Sequence, residues 1–267
     1  MSKIIGIAAL ARSGKDTVAS MLLKHSDVTT YALADPLKIG CQVLFGLTDS
    51  ETWDDNFKEK EISHWGWSPR RFFQTVGTDW LRDLNPEHWL QRADLALNYD
   101  MSNDINKSKI DLSDPRAPLK LAAQSIFGIS QEEAWDPLLL NNKNEFWDMS
   151  PSQMIDFIHN QVCSEFENFY SLRSERPVTL PSRTIPAHGN NDVVIIKDVR
   201  FENEADFLRN HGGTIWHIKR DKALKVISHA SEMGIKVTNE DIVIHNNGSL
   251  EDLELAVQNE WTKLNFG

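Results

Sequence analysis

Residues 3–17 read KIIGIAALARSGKDT, and this stretch decides the fold. The segment KIIGIAA (3–9) is apolar without alternation, the pattern of a strand buried on both faces. Ala9-Leu10-Ala11-Arg12-Ser13-Gly14-Lys15-Asp16-Thr17 then turns the chain into a helix expected from about 15 to 24. A glycine turn between strand and helix aims backbone N–H groups and the positive helix end at one point, which makes an anion site. Lys15 is expected to reach the β- and γ-phosphates of a nucleotide as a point charge. Two positions depart from GxxxxGK[ST]: Ala9 replaces the first glycine, and Asp16 replaces the hydroxyl residue. Asp16 and Thr17 both offer oxygen to a hard divalent cation. Arg12 adds a cation suited to charge on a transferred phosphoryl group. Arg12, Ser13, Gly14, Lys15, Asp16 and Thr17 are therefore the candidate ATP loop. A strand–turn–helix with no ligand is the competing reading, and it leaves the clustering of Gly, Lys and hydroxyl unexplained.

Outward from this loop, β-rich VTTYAL (28–33) predicts a second strand, and Pro36 opens a helix to about 45. Residues 47–64 read as irregular. Helices are expected from Pro69 to about 84, from Pro86 to about 98, and at 118–127 and 151–170, with 99–116 as a linker and 173–191 as a long loop. VVIIKD (193–198), TIWHIK (214–219) and IVIH (242–245) read as strands. A helix over 202–211 and a final one over 249–264, capped by Ser249, complete the chain. Strands alternating with helices imply an α/β fold, a mainly parallel sheet flanked by helices. With the loop, this is the P-loop NTPase class.

The net charge is −11 over 267 residues, which repels nucleic-acid backbones and argues against a polymer-binding role. No apolar run approaches a membrane span. Cys41 and Cys163 lie far apart and make no metal cluster, which suits a reducing compartment.

Residues 36–69 align with 118–151 at a constant offset of 82, with twelve identities in 34 positions. Roughly two would arise by chance from average usage. Pro36/Pro118, Lys38/Lys120, Trp53/Trp135 and Trp65/Trp147 are among them. The copies differ where charge would matter: Arg70-Arg71 become Ser152-Gln153, and Gly77-Thr78-Asp79 become His159-Asn160-Gln161. The second copy is expected to be a degenerate structural module packed on the first.

Candidate acceptor residues follow the second strand. Lys38 in Asp35-Pro36-Leu37-Lys38 lies beyond a strand's carboxyl end, where α/β sheets bind ligands. Arg70 and Arg71 are adjacent and cannot share a helix face, so one suits the acceptor phosphate and the other the ATP phosphates or a carboxylate. Gln74 is placed to read a base edge, Gly77 and Thr78 allow close backbone approach, and Trp89 offers a stacking ring, although core packing explains it equally. Asp198-Val199-Arg200 follows the strand VVIIK, with Glu204 one turn on. Asp198 suits either a metal beside Asp16 and Thr17 or the acceptor sugar, and Arg200 suits phosphate. Arg220 and Asn246 follow the last two strands and are candidates for the ATP side. His229, Ser231 and Glu232 form no legible triad.

The set RSGKDT, LADPLK, SPRRFFQTVGTD, DVRFENEAD and HNNGSLEDL resembles the deoxynucleoside monophosphate kinases of T-even-type bacteriophages over about residues 3–98 and 193–260. The resemblance implies the nucleoside monophosphate kinase fold, ATP and Mg²⁺, and acceptors such as dTMP, dGMP and a modified dCMP. It implies that Lys38, Arg70, Gly77, Thr78, Trp89, Asp198, Arg200 and Glu204 bind the acceptor. It also implies a homodimer and, for a phage-encoded chain, the host cytoplasm. Residues 99–192 are expected to lie outside it.

The expected organisation is a kinase core of 1–34 and 193–267, an acceptor-binding helical region of 35–98, and an insertion of 99–192 carrying the degenerate repeat 118–151. The expected reaction is in-line attack of an acceptor phosphate oxygen on the γ-phosphorus, with Lys15, Arg12, Arg70, Asp16 and Arg200 positioning and neutralising charge. Competing readings are a kinase of phosphomevalonate or dephospho-coenzyme A, a nucleotide-binding protein without turnover, and an interaction protein using its Trp-rich helices.

Overall fold

The computed structural model describes residues 3–10, 12–98, 110–185, 193–221 and 235–266. The elements run β1 (Lys3–Ala9), α1 (Lys15–Leu22), β2 (Val28–Ala32), α2 (Asp35–Phe45), α3 (Asp49–Trp53) and α4 (Pro69–Gln74). A π-helical segment (Thr75–Arg82) follows, then α5 (His88–Asn98), α6 (Ala117–Phe127), α7 (Gln131–Trp135), α8 (Pro151–Glu165) and α9 (Phe169–Ser174). The chain ends with β3 (Val193–Lys197), α10 (Glu202–Asn210), β4 (Thr214–Lys219), β5 (Ile242–His245) and α11 (Leu250–Phe266). It divides into two compact units, Met1–Leu33 with His188–Gly267, and Ala34–Ala187.

The first unit is a five-stranded sheet in the order β2-β3-β1-β4-β5, parallel throughout. β1 sits at its centre, with Lys3↔Val193 to Gly6↔Ile196 on one side and Ile5↔Thr214 to Ala9↔Ile218 on the other. Residues 193–196 are completely buried, as the continuous apolar run required. Each such side chain contributes on the order of 1.5–3 kcal/mol. α1 and α11 pack beside the sheet through Val18, Leu22, Leu253, Val257 and Trp261.

A buried ionic knot ties this unit together. The Asp241 side chain is 1% exposed and accepts from Arg209 at 2.7 Å, His217 Nε2 at 3.0 Å and the Thr238 backbone amide at 2.8 Å. A carboxylate only accepts, so Nε2 of His217 carries the proton. Burial would raise the Asp241 carboxyl, but the bonds from Arg209, Thr238 and His217 outweigh it and pull it down to about 2.

In the second unit the repeat is visible element by element. α2, the left-handed C-cap Gly46, the Thr48 capping box, α3, the Ile62–Trp67 bridge and the Ser68 cap of α4 make one copy. α6, Gly128, the Ser130 capping box, α7, the Asn144–Met149 bridge and the Ser150 cap of α8 make the other. Trp65 Nε1 donates to the Phe45 carbonyl and Trp147 Nε1 to the Phe127 carbonyl, again at the offset of 82. α2 and α6 pack at Gly40, where a Cβ would come within 2.7 Å of Ile126 Cγ1. Ser125 Oγ also donates to the Pro36 carbonyl at 2.7 Å.

The copies exchange their closing helices. Arg173 of α9, which follows the second copy, donates to the Leu44 and Val43 carbonyls of the first. Arg92 of α5, which follows the first copy, donates to the Ser125 carbonyl of the second. Both arginines thereby satisfy helix-end carbonyls that lack an intrahelical donor.

Three expectations need correction. Residues 47–64 and their counterparts hold short capped helices, α3 and α7, because the Thr48-Asp49-Ser50-Glu51 and Ser130-Gln131-Glu132-Glu133 boxes satisfy the first turn from both ends. The helix from Pro69 does not stay regular: Asp83 N bonds to Thr78 O in the wider π pattern. The helix expected over 151–170 is two, α8 and α9, broken where Phe166 is extended.

Candidate functional site

β1 and β3 are neighbours, so their carboxyl ends deliver two loops to one place. In the first, Gly14 has φ 98° and starts α1, while Arg12 takes the left-handed region at φ 63°. In the second, Asp198 stands at φ 68°. Left-handed backbone is uncommon at a residue as long as Arg12 and tolerated more readily at Asp198, and such positions cluster at ligand loops.

Lys15 Nζ lies 3.4 Å from Asp198 Oδ1 and 3.5 Å from Asp16 Oδ2. Arg200 Nη2 donates to Asp198 Oδ2 at 2.7 Å. Burial would raise the Asp198 carboxyl, but the bond and charge of Arg200, with Lys15 behind it, hold it below the usual carboxylate range. Glu204 accepts from the backbone amides of Arg200 and Phe201 at 2.8 and 3.2 Å, which fixes the turn that carries Arg200. Ser13 is buried in the loop, Thr17 is half-buried, and Arg12 and Asp16 are exposed. Two carboxylates flanking one ammonium at a helix start suit a divalent cation and a polyphosphate together.

Asn246 also bonds to the phosphate loop. Its Nδ2 donates to the Ser13 carbonyl at 2.9 Å, and its amide bonds Lys219 O at 2.7 Å. It braces the loop from behind. A Cβ on Gly14 would meet this Nδ2 at 2.4 Å. Arg220 is exposed at the end of β4, beside Asp221, which Asn247 holds. His229, Ser231 and Glu232 lie outside the described residues.

In the second unit, Lys38 Nζ stands 5.2 Å from the Trp53 ring centre and 5.9 Å from that of Phe73. Arg70 Nε pairs with Glu59, and Arg71 stacks on Trp67 at 4.2 Å, so the two arginines do diverge. Gln74 and Thr78 are exposed. Trp89 Nε1 donates to the Gly77 carbonyl at 3.0 Å and its ring packs on the core, which binds α5 to the π-helical segment. A Cβ on Gly77 would meet Leu37 Cδ2 at 2.6 Å, so close helix packing is what needs glycine there. Missing from the expected set are Trp53 and Arg183, whose guanidinium lies 4.1 Å over the Trp53 ring. The Lys–Trp spacing repeated in both copies was the signal for Trp53; nothing in its loop singled out Arg183.

The profile of the family Deoxynucleotide monophosphate kinase matches residues 3–62 and 152–257, well over half of the chain. The chain belongs to that family. The matched deoxynucleotide monophosphate kinase residues include the phosphate loop, Lys38, Asp198, Arg200 and Glu204. They omit 63–151, a stretch close to one repeat offset, so the match passes from the front of the first copy to the last helices of the second. Arg70, Arg71, Gln74, Gly77, Thr78 and Trp89 fall in the omitted stretch. The chain is 25% identical over 253 residues to a putative deoxynucleotide monophosphate kinase of Acanthamoeba polyphaga mimivirus, covering 93% of this chain and 91% of that one. It is 21% identical over 275 residues to the deoxynucleotide monophosphate kinase of Enterobacteria phage T4, and 24% over 260 to that of Escherichia phage RB69, each covering 96% of this chain and 98% of the relative. The likeness therefore runs through residues 99–192, which sequence reading placed outside it.

Proposed function

We propose that this chain transfers the γ-phosphoryl group of ATP to deoxynucleoside 5′-monophosphates, giving the diphosphates and ADP. The observation that carries the proposal is Lys15, set between Asp16 and Asp198 at the ends of two adjacent parallel strands in a chain of this family.

The chemistry needs no protein nucleophile. An acceptor phosphate oxygen attacks the γ-phosphorus in line, and the protein positions the groups and neutralises charge. The N–H groups at the start of α1 hold the triphosphate, Lys15 bridges its β- and γ-oxygens, and Arg12 faces the transferred group. Asp16 and Asp198 are the groups that would hold Mg²⁺, with Thr17 adding a hydroxyl. When bound, the metal withdraws charge from the phosphate oxygens. Arg200, oriented through Glu204, and Lys38, Arg70 and Arg71 supply positive charge to the acceptor. Gln74 and Thr78 stand free to contact the base or sugar.

We further infer a homodimer acting on free nucleotides and not on nucleic acid, in the cytoplasm, which for a phage-encoded chain is the host's. Among the described residues no helix is long and apolar enough to cross a membrane. The test is ADP production from ATP and Mg²⁺ with each monophosphate supplied singly. Turnover with deoxynucleotides, lost by at least about 10²-fold in Lys15→Ala, is expected; wild-type protein that turns over none of them ends the reading.

A further inference from the structure

The duplicated module provides an internal comparison, because one copy shows how its polar groups are arranged when they satisfy one another. In the second copy Lys120 stands 4.8 Å from the Trp135 ring centre, as Lys38 stands by Trp53. Lys120 is neutralised there by Asp114 at 2.7 Å, and Trp135 Nε1 donates to Gln124 Oε1 at 3.0 Å. Both polar groups have partners within the same unit.

The first copy breaks both arrangements. Gln42, the counterpart of Gln124, donates instead to Asp49 Oδ1 at 2.7 Å and to Ser182 Oγ at 3.3 Å. Trp53 Nε1 is left buried with no hydrogen-bond partner. Asp114 precedes the second copy; the position at the same offset, Ala32, lies in β2 and carries no acid, and the carboxylates acting on Lys38 are Asp35 and Asp55. A second cation, Arg183, lies over the same indole ring. Burial depresses the Lys38 ammonium; Asp35 and Asp55 raise it, while Lys58 and Arg183 depress it.

Arg183 is held there deliberately. Arg176 binds Glu51 at 2.8 Å and the Gly46 carbonyl at 2.8 Å, and Ser182 meets Gln42. Val178 and Leu180 pack on the helical core. A chain segment so anchored brings a guanidinium to a lysine and an unused indole N–H. Like charges gathered on one ring favour an added anion, beside the carboxylates Asp35 and Asp55 that act on Lys38 and Asp49 that acts on Arg183.

We propose that Arg183 and Trp53 join Lys38 in an anion subsite that takes the 5′-phosphate monoester of the acceptor. This rests on the kinase reading above. The guanidinium supplies paired donors, the ammonium a point charge, and Nε1–H a directed neutral donor. ATP carries phosphate too, so the test separates the two sources.

The measurement is the KM for dTMP and for dGMP beside the KM for ATP, in wild type, Arg183→Ala, Arg183→Lys, Trp53→Phe and Lys120→Ala, each with its thermal midpoint. Arg183→Ala should raise the acceptor KM at least tenfold and leave the ATP KM within twofold, with Arg183→Lys recovering part of the loss. Trp53→Phe keeps the ring and removes the donor, and should raise the acceptor KM several-fold. Lys120→Ala should leave it unchanged. Acceptor KM values untouched in Arg183→Ala, or a rise confined to ATP, overturn the subsite while leaving the kinase reading intact. Wild-type protein inactive on every deoxynucleotide overturns that reading, and the subsite with it.

Discussion

Lys15 and Asp198 lie 183 residues apart in the chain's numbering, and the ammonium of one stands 3.4 Å from the carboxylate of the other. Their side chains are 26% and 40% exposed, so the pair adds little to stability by itself. Its use is to keep an ionised carboxylate and a cation at the phosphate loop, where a metal–nucleotide complex would separate them. The Asp198→Asn variant preserves shape and removes charge. It should fold with a nearly unchanged thermal midpoint, lower kcat by about 10²-fold, and need more Mg²⁺ for half-maximal rate. An unchanged Mg²⁺ requirement would remove Asp198 from the metal.

The Gly14 and Asn246 positions make a coupled pair. Alanine at 14 meets two obstacles: a φ of 98°, which costs about 1 kcal/mol or more for a non-glycine residue, and Asn246 Nδ2 at 2.4 Å. Gly14→Ala should weaken ATP binding at least tenfold by calorimetry. Asn246→Ala alone should weaken it less, since the loop loses one brace to Ser13 O. Combining them relieves the clash but not the strain, so the double variant should bind better than the two effects summed. Strict additivity would show that Asn246 does not shape the loop.

His88 predicts an acid limit to stability. It is buried between Trp89, Phe127 and Trp147, stacked on the last at 4.8 Å, and its Nε2–H donates to the Ile126 carbonyl at 3.2 Å. Burial, with Arg92 nearby, lowers its pKa from 6.5 to about 4; the Ile126 bond opposes this only in part. A folded pKa below the unfolded one means that stability is complete above about 6.5 and falls as pH drops toward 4. The loss between pH 7 and pH 5 should be about 2 kcal/mol. Denaturant melts of wild type and His88→Gln at those two pH values check it: the variant should start less stable and lose less on acidification. Equal losses in both would show that another group controls the acid side.

Much of the fold was legible because its cues are local. Apolar runs without alternation marked β1 and β3, and Pro36, Pro69 and Pro118 marked helix starts. The π-helical segment was not legible, since a one-residue widening such as Asp83 N to Thr78 O leaves no period in the sequence; its Gly77, Trp80 and Leu81 are buried. Of the candidate residues, those in the phosphate loop were set by one contiguous motif. Trp89 and Asn246 were singled out by position, and only the structure shows their side-chain bonds to the Gly77 and Ser13 carbonyls.

The sequence by itself determined the strand–loop–helix of residues 3–17, the parallel α/β class, the duplicated module and its copy-specific charges. All of these are written in spacings of a few residues or in a constant offset. Only the tertiary structure decided that β3 lies beside β1, that Asp198 meets Lys15, that the copies exchange α5 and α9, and that Arg183 arrives over Trp53. Those are pairings across long stretches of chain, chosen by burial and hydrogen-bond satisfaction of the whole, and no local period encodes them.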